Sequence, residues 1–110
     1  MTNLRVPLRI VFYPEAGSWV AHCLEFDLAG DGTTKEAALM ELSEAIRLQI
    51  EATVEHGNFR NLFTPADGEV FAKFAAGKDI TLGELHIAIE PVHIDQAQMR
   101  EYAAADLLCA

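Results

Sequence analysis

The chain is poor in basic residues. Lys and Arg number 8 against 17 Asp and Glu, which leaves a formal net charge of -9 over 110 residues. Direct binding to nucleic-acid phosphates needs cations that displace counterions, so this balance argues against it. Cysteine is scarce too: Cys23 and Cys109 stand far apart, with no CxxC spacing. Such thiols are expected to be free in a reducing compartment. No basic-then-apolar leader opens the sequence and no apolar run approaches membrane-spanning length, which predicts a cytoplasmic chain without membrane contact. There is no internal repeat, no low-complexity tract and no linker, so residues 1–110 read as one domain. Hydrophobic residues make up 51%, enough for a core, although a chain of this length gains burial by pairing with itself.

What is present is periodic. Leu4, Val6, Leu8, Ile10 and Phe12 alternate with Arg5, Pro7, Arg9, Val11 and Tyr13, the period of a strand. Pro7 cannot donate to a ladder and marks an edge. Pro14 and Gly17 predict a tight turn. "SWVAHCL" is a second strand with Trp19, Ala21 and Cys23 on one face and Val20, His22 and Leu24 on the other. Neither face is polar, which predicts that both are covered, one by a helix and one by another subunit. A short third strand is expected around Leu28. Thr33 and Glu36 are spaced as a capping box. Leu39, Leu42, Ile46, Ile50 and Thr53 then form a helical stripe opposite Glu44, Arg47, Glu51 and Glu55, and Gly57 is placed to end the helix. Leu48 falls on the outer face at 100° per residue.

Beyond the main helix, Thr64 and Pro65 suggest the start of a short helix with Phe71, Phe74 and Ala75 buried and Gly77 as its stop. This segment is expected to fold over the main helix, with Leu48 one residue it would cover. Residues 82 to 94 read as the last strand, and Asp95 as the cap of a short final helix. The sum is an α+β domain: a small antiparallel-dominated sheet, one main helix packed on one face, and short extra helices.

Three chemistries are tested by spacing. His86 and His93 fall on opposite faces of a regular strand, as do His22 and Cys23, so no metal site is expected. Cys23 has no strained elbow around it and reads as a small core residue rather than a nucleophile. Glu25, Asp27 and Asp31 cluster near turn glycines, where acids favour turns and helix starts. No catalytic, metal or cofactor residue is assigned.

"YPEAGSWVAHCLEFDLAGDGTTKEAALMELSEAI", residues 13 to 46, resembles the N-terminal domain of the HicB-like antitoxin family. The resemblance lies in Tyr13-Pro14-Glu15, Gly17 to Ala21, the acidic loop Glu25 to Gly30, the helix entry Asp31-Gly32-Thr33, and the pairs Glu36-Ala37 and Glu44-Ala45. It implies a β-β-β-α-β sheet of partial ribonuclease-H-like form and a non-enzymatic protein that blocks a small basic ribonuclease toxin. The sequence departs from the family in "LEFDLAGDG" and in an insertion-like segment at residues 58 to 80. The stretch after Ile94 is also short for a DNA-binding module, and Arg100 is its only Lys or Arg. Partner contacts are accordingly expected at Trp19, His22, Glu25, Asp27, Glu44, Leu48 and Glu51, with the chain itself as a further partner in a homodimer or higher oligomer. The competing expectations are a homo-oligomeric scaffold with no toxin partner and a small hydrolase using Cys23 or the acidic loop.

Overall fold

The computed structural model describes residues 4–103. In chain order these form β1 (Leu4–Arg5), β2 (Leu8–Glu15), β3 (Ser18–Cys23), β4 (Leu28–Gly32), α1 (Lys35–His56), a 3-10 turn (Phe59–Asn61), α2 (Gly68–Ala76), β5 (Lys78–Asp79), β6 (Ile87–Ile89), β7 (Val92–Ile94) and β8 (Ala97–Glu101). The result is an α+β domain, with a five-stranded sheet ordered β4-β3-β2-β8-β5 and a three-stranded sheet ordered β1-β7-β6. Four of the strand pairs are antiparallel; β1–β7 and β2–β8 are parallel. The two sheets meet at Pro7, which has no N–H to give. The ladder steps from Val6 N on His93 O to Leu8 N on Gln96 O, both at 3.0 Å.

β2 explains its own apolar sequence. Leu8, Ile10 and Phe12 enter the core beneath α1, while Val11 and Tyr13 enter a second core beneath α2. A strand covered on both faces loses the polar half of its alternation. The turn from β2 to β3 is made by Ala16 and Gly17, with φ of 52° and 82°. Two positive φ values match the twist of the flanking strands. Pro14, expected to start the turn, instead pairs with Trp19 inside the ladder.

α1 buries Ala38, Leu42, Ile46, Ile50 and Thr53. Ala38 thus takes the place expected for Leu39, which is only half-buried. The cap is Thr34, not Thr33: Thr34 is extended and its Oγ1 accepts from Ala37 N at 3.0 Å. Two adjacent threonines offer the same chemistry, and the packing of Gly32 against Ala37 and Ala38 sets the register one residue later. At the other end Gly57 has φ 65°, and Asn58 N reaches Thr53 O at 3.2 Å, closing the last turn.

The second half of the chain departs from the sequence expectation in three places. α2 begins at Gly68 after Asp67, not at Pro65, and buries Val70 and Phe74 while Ala75 is exposed. It does not fold over α1. Ala66, Val70 and Phe74 cover Val11, Tyr13, Val20 and Leu24 on the far face of the sheet. Leu48 stays 57% exposed. The single strand expected at 82 to 94 is the hairpin β6–β7, turned at the cis Glu90–Pro91 peptide. The helix expected after Asp95 is the strand β8, because residues 97 to 101 ladder with β2 and bury Met99 in the α1 core. The remainder of that expected helix, residues 104 to 108, lies outside the described residues, as does Cys109.

Candidate functional site

The acidic loop and its neighbours do not converge. Alternation along β3 sends Cys23 into the α1 core, fully buried, where burial pushes the thiol up to about 11. A thiol so placed stays protonated at neutral pH and has no route to a substrate. His22 points to the opposite face. Its Nδ1 lies 3.0 Å from the Tyr13 hydroxyl and its Nε2 lies 2.8 Å from Asp27 Oδ1. Burial raises the Tyr13 phenol above its ordinary value, and the charges of Glu15 and Asp27 add to this. A protonated phenol donates to Nδ1, so the ring hydrogen sits on Nε2 and faces Asp27. Both ring nitrogens are then occupied, and none is free for a metal or a substrate proton. Asp27 holds a left-handed φ of 51° within this chain. Lys73 Nζ lies 4.0 Å from the Tyr13 ring centroid, which joins α2 to the same group.

Glu25 is engaged elsewhere. Its Oε1 accepts from Arg9 N at 2.8 Å and its Oε2 from Arg9 Nε at 2.7 Å. This pair lines a cleft of about 600 Å³ at the junction of the sheets, together with Leu8, Leu85, Asp95 and Gln98. Asp95 is held by Arg5 at 2.8 Å, and Glu84, at the cleft mouth, by His86 at 2.9 Å. The cleft's carboxylates therefore already have partners. Asp31 is exposed on β4. Among the described residues no group of three or more His, Cys, Asp or Glu comes together to hold a metal.

The outer face of α1 is different in kind. Met40 is 75% exposed. Glu44 takes both carboxylate oxygens to Arg47 Nη2, at 2.6 and 2.8 Å, and Glu51 meets Arg47 Nη1 at 3.4 Å. Glu36, Glu41 and Glu55 are exposed on the same helix. An apolar side chain is thus ringed by carboxylates that Arg47 only partly offsets, with Leu48 at the margin. Trp19 is half-buried on the α1 side of β3; Lys35 Nζ lies 5.1 Å from its ring and also pairs with Glu101.

The seven residues expected to meet a partner therefore fall in separate places. Glu44, Leu48 and Glu51 share the outer side of α1. His22 and Asp27 are joined on the α2 side of the sheet. Glu25 belongs to the cleft, and Trp19 packs at the start of β3. Sequence reasoning did not find Tyr13, Arg9 or Met40. A two-residue turn at 16 and 17 makes Tyr13 and His22 diagonal neighbours, and that turn was the available signal. Comparison with protein families, with characterised proteins and with solved structures finds no match. No helix of the described residues is long and apolar enough to cross a membrane.

Proposed function

We propose that the chain is a non-enzymatic, cytoplasmic binding domain of the HicB-antitoxin type, and that the outer face of α1 covers a small basic protein. The observation that carries this reading is the exposed outer side of α1, where Met40 lies between Glu36 and Glu44 and Leu48 between Glu44 and Glu51, on a chain of net charge -9. Opposite fields speed encounter and fix orientation, and methionine adapts its shape to an apolar partner surface. The enclosed Cys23 thiol and the doubly bonded His22 ring support a binding role over a hydrolytic one. The test is binding of a small basic protein encoded beside this chain. Glu44→Lys with Glu51→Lys should weaken it at least tenfold without loss of fold, since both side chains are surface-exposed. Equal binding by the double variant, or the lack of any such neighbour, overturns the reading. A homo-oligomeric scaffold is the second reading, favoured by the β4 edge of the five-stranded sheet, which is open among the described residues.

A further inference from the structure

β4 is the outer strand of its sheet, and its pairing parity shows which backbone groups face outward. The two-residue turn makes Glu15 and Ser18 a hydrogen-bonded pair, and Leu24 N on Arg9 O at 2.9 Å continues the same register. Ser18, Val20 and His22 therefore bond to β2. Trp19, Ala21 and Cys23 bond to β4, at Gly32, Gly30 and Leu28. The N–H and C=O of Ala29 and Asp31 are left pointing away from the sheet. Their side chains are exposed as well.

A flank of α1 stands over this edge. A Cβ placed on Gly32 would lie 2.6 Å from Ala37 Cβ, and one on Gly30 would overlap Leu42 N and lie 2.7 Å from Ala38 O and 2.8 Å from Glu41 C, so α1 is seated on β4 through Ala37, Ala38, Glu41 and Leu42, of which Ala37 and Glu41 are exposed. At 100° per residue Ala45, Leu48 and Ala52 continue that flank. Ala37, Ala45 and Ala52 are small and Leu48 is 57% exposed, while Glu41 and Glu55 are the carboxylates on this flank.

We infer that β4 pairs with β4 of a second copy, antiparallel about a two-fold axis through Gly30. This inference does not depend on a basic partner for α1. The register is self-complementary. With Gly30 facing Gly30, Ala29 faces Asp31 of the copy and Asp31 faces its Ala29, so every outward N–H and C=O on both edges is bonded. Neither pair sets like charges directly opposite. Four hydrogen bonds alone fall short of a stable interface, which buries about 800 Å² per partner. The α1 flank supplies the rest: the same axis lays the two helices side by side, Ala37 against Ala45 of the copy, with Leu48 toward the other helix's first turn. The lack of a side chain at Gly30 lets both helices sit low over the joined strands. Glu41 opposes pairing, because the axis passes near it and brings it close to its own copy. Two chains of charge -9 also repel, so the dimer tightens as salt rises.

Sedimentation equilibrium at tens of micromolar tests the inference. The expected mass is twice the 12.1 kDa of the chain, with a dissociation constant that falls between 50 mM and 500 mM salt. Ala29→Pro removes an outward N–H and should give a monomer, Leu48→Ala should weaken the dimer several-fold, and Glu41→Gln should tighten it. Should Ala29→Pro fail to fold, amide exchange in the unmodified chain gives the same answer: Ala29 and Asp31 should slow as concentration rises. A monomeric chain overturns the inference. So does a dimer in which Ala29 and Asp31 exchange at a rate independent of concentration, or one that Leu48→Ala and Glu41→Gln leave unchanged. A second copy binds better in high salt and a basic protein binds worse, so the two proposals fail separately.

Discussion

Replacing Gly30 by alanine adds one methyl group where α1 crosses β4. That methyl would overlap Leu42 N and lie 2.7 Å from Ala38 O and 2.8 Å from Glu41 C. All three atoms are helix backbone, so no side chain can rotate away. The helix must lift, and with it Ala38, Leu42, Ile46 and Ile50, which are fully buried. Overpacking a core costs about 1–3 kcal/mol when side chains give way. Against rigid backbone the loss should sit at or above the top of that range, about 3 kcal/mol. A domain of this size holds roughly 5–15 kcal/mol in all. In urea, with a slope of about 1–3 kcal/mol per molar, the midpoint should fall by at least ~1 M. Gly68 is the control: an added Cβ there meets nothing within 4 Å. Gly68→Ala, at the start of α2, should be neutral or gain up to about 1 kcal/mol from the unfolded state. If Gly30→Ala costs less than ~0.5 kcal/mol, the close seating of α1 on β4 is wrong, and the placement of the α1 flank over the sheet edge falls with it.

Thr34→Ala should cost about 0.5–2 kcal/mol in the same urea titration, whereas Thr33→Ala should change little, which separates two adjacent threonines by their cap bond. Cys23 makes stability depend on alkaline pH. Its folded value of about 11 lies above the ordinary 9.0, so the unfolded thiol ionises first. The contribution is full below pH 9 and is lost as pH rises toward 11, about 2–3 kcal/mol, and Cys23→Ala should flatten this part of the pH profile. Tyr13→Phe removes the hydroxyl 3.0 Å from His22 Nδ1 and should cost about 1 kcal/mol or more, because the ring nitrogen loses its donor in a largely enclosed site; a urea midpoint equal to that of the parent would show that the bond adds nothing.

The first half of the fold was legible because its signals are local. Alternation in residues 8 to 24 and helical spacing from Leu42 to Thr53 each report a face that the same segment buries. The cap slipped by one residue because Thr33 and Thr34 are chemically alike and only the approach of Gly32 to α1 decides between them. The second half was illegible where its reasons are distant. Residues 97 to 101 read as helix by composition, yet their partner is β2, far away in the chain, and a parallel ladder leaves no turn signal between its strands. Pro91 read as the weak end of one strand when it was the corner of a hairpin. The apolar second face of β3 was read correctly as covered, but the cover is α2. That removes the reason for expecting another subunit on the sheet face; among the described residues the β4 edge and the outer side of α1 remain exposed. His22 and Asp27 stood out as polar residues in an apolar stretch. Their partner Tyr13 belongs to another strand, and only the turn geometry brings it to them.

The binding role proposed for α1 is tested most directly by titrating a small basic protein, one encoded beside this chain, into the purified chain at low and at physiological salt. The expected result is a saturable one-to-one complex per chain that weakens as salt rises and is lost in Glu44→Lys with Glu51→Lys. A complex that ignores salt and survives both substitutions, or no complex at all, would contradict it.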